Sequence, residues 1–199
     1  MPMPYLKRAI LCPEPIDCKI LTAALDLFVS KGYHNVSVHE IQKQADVSIG
    51  SIYNHFGGKE GIASALYEHL LNEMNELVDD VISEIASPSD QCKEIIRQLF
   101  VYTDSQRNII AFIFHSKHTD FLNGVPLICN ASPFVKIREI IQKGMEAGEF
   151  LKVDSWVATS GLFGGAIRMI QLRLDGLIEE PLIHSYEEIV RIAWSGLEK

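Results

Sequence analysis

Apolar positions recur at three- and four-residue steps along most of this chain, and no strand-like alternation competes with them. The first run covers residues 16–31, where Ile20, Ala24, Leu27 and Phe28 make one stripe that Leu21 and Leu25 widen. Pro15 suits the first turn, where its missing N–H costs nothing, and Gly32 stops the helix. Ser37 and Glu40 have the spacing of a capping box, which predicts a short helix over 38–44 with Val38, Ile41 and Ala45 inward. Asp46 falls at the next turn, where positive φ is often needed. Ser48 then caps a third helix that ends near Gly57, with Val47, Ile52 and Phe56 turned to a core. Short helix, tight turn, short helix is a helix-turn-helix pattern.

A long helix over 59–86 follows, with Ile62, Leu66, Leu70, Met74, Leu77, Val81 and Ile85 on its inner face. Its outer face is acidic: Glu60, Glu68, Glu73, Glu76, Asp79, Asp80 and Glu84. Ser87-Pro88-Ser89-Asp90 ends it. Further helices are expected at 91–105, 107–117, 134–147, 154–175 and 184–198, with a loop between Asn123-Gly124 and Ser132-Pro133. The fold class is all-α: a three-helix head and a larger helical bundle, about nine helices in all. Three prolines and no apolar period make residues 1–14 an extended arm, so the expected division is arm 1–14, head 15–58 and body 59–199.

Composition narrows the function classes. With 47% apolar and 22% charged residues the 199-residue chain is globular. The uncharged run at 155–167 has 13 residues, short of the roughly 20 that cross a bilayer, and the N-terminus lacks the apolar core of a signal peptide. Four cysteines, at 12, 18, 92 and 129, form no CxxC pair and read as free thiols in a reducing cytoplasm. The net charge of −8 is unevenly distributed: six Lys or Arg against five Asp or Glu up to Lys59 give +1, leaving −9 beyond. An acidic body with a near-neutral head fits nucleic-acid binding through the head alone, with weak nonspecific affinity.

Residues 18–66 resemble the DNA-binding head of the TetR family of transcriptional regulators. The resemblance rests on Ala24-x-x-x-Phe28-x-x-x-Gly32-Tyr33, Ser37-Val38-x-x-Ile41 and Ala45-x-Val47-Ser48-x-Gly50-Ser51-Ile52-Tyr53-x-His55-Phe56-x-x-Lys59-Glu60. It covers about a third of the chain; the rest is similar only in kind. Two positions depart from the family pattern, Asp46 where the turn usually has Gly and Gln42 where the second helix usually has Ala. The resemblance implies DNA contacts from Ser37, His39, Ser48, Ile49, Gly50, Ser51, Tyr53, Asn54, His55 and Lys59. Each has a physical role available. Gly50 lets the backbone approach a groove, and serine hydroxyls and helix N-termini donate to phosphate. Asn54 has the fork that reads adenine, while Ile49 reads thymine methyls or shape. Tyr53 offers a phenol and a ring, and Lys59 a point charge; both are expected to be exposed with no packing role. His55 reads equally as a packing residue of the head.

In the body, Phe100, Phe112, His115, Phe134, Trp156 and Phe163 are candidates to line a pocket for an apolar or aromatic small molecule, although a plain core would look the same. Val157, Gly161, Gly164 and Gly165 make a small-residue strip that, with Ile189 and Trp194 of the last helix, suits a homodimer interface or close packing within one subunit. His115-x-x-His118-x-Asp120 carries metal-compatible groups, but a helix end and a polar turn explain it more simply, and no metal or cofactor is assigned. No nucleophile elbow, phosphate loop or polar carboxylate pair marks an enzyme. The expectation is a cytoplasmic, ligand-responsive repressor that binds a palindromic operator as a homodimer and has no membrane contact. The alternative is a helical interaction or ligand-binding module with a degenerate head.

Overall fold

In the computed structural model, which describes residues 16–116, 118–122, 124–125 and 128–197, the first apolar stripe becomes helix α1, Ile16–Lys31. The arm at 1–14, Cys12 and Pro15 lie outside the described residues, as do Asn123, Pro126 and the end of the last expected helix. Eight residues of α1, from Cys18 to Phe28, are buried, and Gly32 ends the helix at φ 78°. The chain then makes a 3₁₀ turn at Tyr33–Asn35 and enters α2, Val38–Ala45. The capping box is formed. The Ser37 hydroxyl accepts from the Glu40 amide, and the Glu40 carboxylate accepts from the Ser37 amide at 2.8 Å. Lys31 also donates to Glu40, at 2.8 Å. That hydrogen bond first, and those from Ser37 next, hold the Glu40 carboxyl down at about 2.

The turn between α2 and α3 explains both departures from the family pattern. Asp46 takes the left-handed conformation, φ 53° and ψ 53°, the one non-glycine at positive φ among the described residues. Gln42 donates its side-chain amide to the Val47 carbonyl at 2.8 Å, closing the turn from the helix side. Ser48 caps α3, Ile49–Phe56, by accepting from the Ser51 amide at 3.0 Å. Gly57, at φ 71°, ends it.

Helix α4, Lys59–Glu84, is 26 residues long and buries Ile62, Leu66, Leu70, Met74, Leu77 and Val81 as the periodicity predicts. Glu73 departs from the expected acidic outer face and is buried. Helix α5, Pro88–Ser105, begins three residues earlier than expected, because Ser87 caps it and Pro88 occupies its first turn. The Ser87–Asp90 segment therefore opens a helix as well as ending one. Helices α6, Arg107–His115, and α7, Ser132–Ala147, follow; α7 again starts early, with Pro133 in its first turn. Helix α8, Ser155–Leu174, is capped by Asp154, which accepts from the Trp156 and Val157 amides. The last helix is shorter than expected: a 3₁₀ turn at Leu182–Ser185 precedes α9, Tyr186–Trp194. Nine α-helices and no strand occur among the described residues.

Helix α5 is the centre of the bundle, packed on α4, α6, α7 and α8, while α9 lies on α8. The head rests on the body through α1, which packs on α4 and α6. Asn108 of α6 donates to Asp26 of α1 at 2.7 Å. One continuous cluster of buried apolar residues runs from Ile20 to Leu197. Among the described residues, no helix is long and apolar enough to cross a membrane.

Candidate nucleic-acid interface and effector cavity

Helix α3 has one fully buried residue, Ile52, which anchors it to the head. Val47 and Phe56 are half-buried against the same core. The opposite face is open: Ile49, Gly50, Tyr53 and Asn54 are exposed, Tyr53 by 55%. Since the caps at Ser48 and Gly57 fix the axis of α3, these four side chains leave one rigid surface. His39 of α2 is exposed too.

The remaining sequence candidates are engaged within the head. The Ser37 hydroxyl donates to Glu40 at 2.9 Å besides capping α2, and the Ser48 and Ser51 hydroxyls lie 2.8 Å apart. His55 Nδ1 lies 2.5 Å from an Asp17 carboxylate oxygen on α1, which supports its packing role. Lys59 overturns the expectation that it has none. It is half-buried, and its ammonium donates to the Tyr33 and Val36 carbonyls at 3.1 and 2.9 Å. It also sits 4.2 Å from the centre of the Tyr33 ring, which stacks at 4.4 Å on Phe121 of the body. Lysine, tyrosine and phenylalanine thus join the start of α4, the turn before α2 and the segment after α6. Free cations are few in the head, with Lys19 and Lys43 exposed.

Gly61 is a site residue that the sequence reading missed. A Cβ there would lie 1.7 Å from the Phe56 carbonyl oxygen, so the end of α3 crosses the first turn of α4 at backbone contact. The available signal was a glycine inside a helix of otherwise good helix formers, a placement that costs about 1 kcal/mol against alanine and asks for a steric reason.

The ligand candidates divide. Phe100 is fully buried core. Phe112 and His115 face a cleft of about 390 Å³ between α1 and α6, together with Phe28, Tyr33 and Phe121. Phe134, Trp156 and Phe163 line a second, almost wholly apolar cavity of about 310 Å³ among α4, α5, α7 and α8. Leu99, Phe114 and Ile137 add apolar wall, and Arg138 is the one charged residue on its described lining. The interface candidates divide as well. Val157, Gly161, Gly165 and Ile189 share an open apolar face on α8 and α9 with Val153 and Ile192. Gly164 lines the apolar cavity. Trp194 is 2% exposed and donates its indole N–H to Ser89 at 2.7 Å, so it belongs to the subunit's own core and not to a surface.

His115, His118 and Asp120 do not converge. His115 lies 3.6 Å from Asp175, whereas His118 is buried among the rings of Tyr67, Phe112 and Phe121. Burial pushes the His118 imidazole down to about 4, opposed by a hydrogen bond with the Phe112 backbone. The folded protein keeps this ring neutral to about pH 4, whereas the unfolded chain protonates it near 6.5. The unfolded state therefore binds more protons in that window, and stability rises with pH across it. His118→Phe is expected to flatten the rise by on the order of 2–3 kcal/mol, seen as melting temperatures measured between pH 4 and 7. An unchanged pH profile would refute the assignment.

Comparison with known proteins agrees with this geometry. Residues 20–66 match the family described as bacterial regulatory proteins, tetR family. The chain is 30% identical over 96 residues to the fatty acid metabolism regulator protein of Bacillus subtilis, covering 48% of this chain and 50% of that protein. It spans about half the length of the curated relatives it matches. In fold it is similar to a TetR family transcription regulator from Marinobacter aquaeolei, with a TM-score of 0.74 at 18% identity over 92% of this chain and 96% of the other. It is also similar to the transcriptional regulator FadR of Bacillus subtilis in complex with stearoyl-CoA, with a TM-score of 0.68 at 23% identity over 89% and 97% of the two chains.

Proposed function

We propose that this chain, a TetR-type transcriptional regulator by its head and its fold, is a cytoplasmic repressor that binds a palindromic operator as a homodimer and is released by a small molecule. The observation that carries the reading is the rigid exposed surface of Ile49, Gly50, Tyr53 and Asn54, fixed by caps at both ends of α3. Asn54 would take adenine, Tyr53 a phosphate or thymine methyl, and Ile49 a methyl or groove shape. His39 and the N-terminus of α2 would add backbone contacts. Ser37, Ser48, Ser51 and Lys59 act by holding the two helices in place. The head is 15–58 and the body 59–199.

Dimerisation through the open face of α8 and α9 would set two heads against half-sites one helical turn or a multiple of about 34–36 Å apart. The effector would occupy the apolar cavity. Met74 lines that cavity from α4, and α4 begins at the Lys59–Tyr33–Phe121 stack, so a change in the angle of α4 would change the separation of the heads.

The test is a shift assay on DNA from the promoter region beside the protein's own gene. Wild type is expected to bind with a shallow salt dependence, because few phosphates are neutralised. Tyr53→Ala is expected to weaken binding about tenfold or more without moving the melting temperature. Absence of any shift at low salt would sink the reading. The scarcity of free cations in the head favours a second reading, an interaction or ligand-binding module with a degenerate head, and that negative result is what it requires.

A further inference from the structure

Among the described residues that line it, the apolar cavity has one cation, Arg138. Arg97, Arg173 and Arg191 each pair with a carboxylate, whereas Arg107 and Arg168 donate to neutral oxygens and lie outside the described lining of this cavity. Arg138, among the described residues, has no carboxylate partner. One of its amino groups donates to the Cys129 carbonyl at 2.5 Å, and the guanidinium plane lies over the Trp156 ring at 4.2 Å. Both contacts hold the fork in place and leave its charge unneutralised. A guanidinium has five N–H donors, so several remain for a ligand. The other polar side chains on the wall are neutral: Thr159 donates to the Ser155 carbonyl, Gln171 accepts from Arg168 at 3.4 Å, and Ser160 adds a hydroxyl. Trp156 is 47% exposed, which puts the Arg138–Trp156 pair at the cavity's opening to solvent, while Phe163, Ile137 and Leu99 form the buried wall.

We propose that the effector is an amphiphile whose apolar chain fills the cavity and whose anionic end is bound by Arg138, which makes Arg138 the residue that selects the ligand's head group. The proposal rests on the reading of this cavity as the effector site. A wholly apolar molecule would leave the guanidinium unpaired and displace its water. An amine would be repelled, and a zwitterion would place one charge wrongly. A carboxylate or phosphate matches the planar fork with two parallel hydrogen bonds.

The experiment is a titration of the full-length protein, followed by tryptophan fluorescence and calorimetry, with decanoate, 1-decanol and decanoyl-CoA. A charge-assisted bond predicts that decanoate binds about ten- to a hundredfold more tightly than 1-decanol. In Arg138→Gln that preference should vanish while 1-decanol affinity stays within about twofold, and Arg138→Lys should keep part of it as a point charge. Decanoyl-CoA distinguishes the source of the anion: tighter binding than decanoate, lost in Arg138→Gln, assigns it to the coenzyme phosphates. Equal binding of decanoate and 1-decanol by wild type would overturn the proposal while leaving the cavity as the effector site, and so would a preference that survives in Arg138→Gln. Binding of none of the three would overturn the effector site and the proposal with it.

Discussion

Gly61→Ala is expected to unseat the recognition helix. The added methyl would lie 1.7 Å from the Phe56 oxygen and 2.8 Å from the Phe56 carbonyl carbon, and both are backbone atoms of the last residue of α3. No rotamer change relieves a clash with backbone, so α3 and the first turn of α4 must separate by on the order of 1–2 Å to reach ordinary contact. Overpacking of this kind costs roughly 3 kcal/mol, which for a chain of this size lowers the melting temperature by about 6–12 °C. Because α3 carries Ile49, Tyr53 and Asn54, the displacement should also cost more than one base contact, about a hundredfold in operator affinity. Gly164→Ala is the matched control: nothing lies within 4 Å of its added Cβ, and alanine favours the helix. Thermal melts and a shift assay on both variants decide the matter. A Gly61→Ala protein that melts and binds like wild type would show that the two helices are not held at backbone contact.

Val157→Asp is expected to separate the proposed dimer. Val157 and Ile192 are 60% and 57% exposed on the open face of α8 and α9, a degree of apolar exposure that a twofold partner would remove from water. An aspartate there places like charges across the symmetry axis and buries them without partners, at a cost of about 4 kcal/mol, or roughly a thousandfold in the dimer constant. Light scattering should then report a monomer at micromolar concentration. Operator binding should fall by more than about a hundredfold, because one near-neutral head neutralises few phosphates alone. Ile82→Asp, on the exposed side of α4, should leave the mass and the binding unchanged. A Val157→Asp protein that remains a dimer would move the interface elsewhere.

Helix positions in this protein were legible because each boundary is set by local chemistry. Ser37 with Glu40, Ser48, Gly57 and Gly148 cap their helices whatever surrounds them, and the apolar stripes of α1 and α4 fall where the three- and four-residue steps put them. The early starts of α5 and α7 are local too: Pro88 and Pro133 read as loop residues in sequence, although proline is tolerated in a first turn. The site was legible only in part. Exposure of Ile49, Tyr53 and Asn54 follows from the position of Ile52 on a short helix, and that much is periodicity.

What periodicity cannot supply is the partner of a side chain far along the chain. Lys59 reads as a free cation until the turn at 33–35 folds under it, and Trp194 reads as surface until Ser89 meets its indole. Glu73, Phe100 and Arg138 are separated in the same way: one period places them on helices, and only packing decides which is buried, which is core and which opens onto a cavity. The sequence by itself determined an all-α chain with a helix-turn-helix head that resembles the TetR family's, because caps, stripes and turns are properties of neighbouring residues. Tertiary structure alone decided the stack that ties head to body, the division of the aromatics between core and cavities, and the contact at Gly61, because each depends on residues that the chain brings together only when folded.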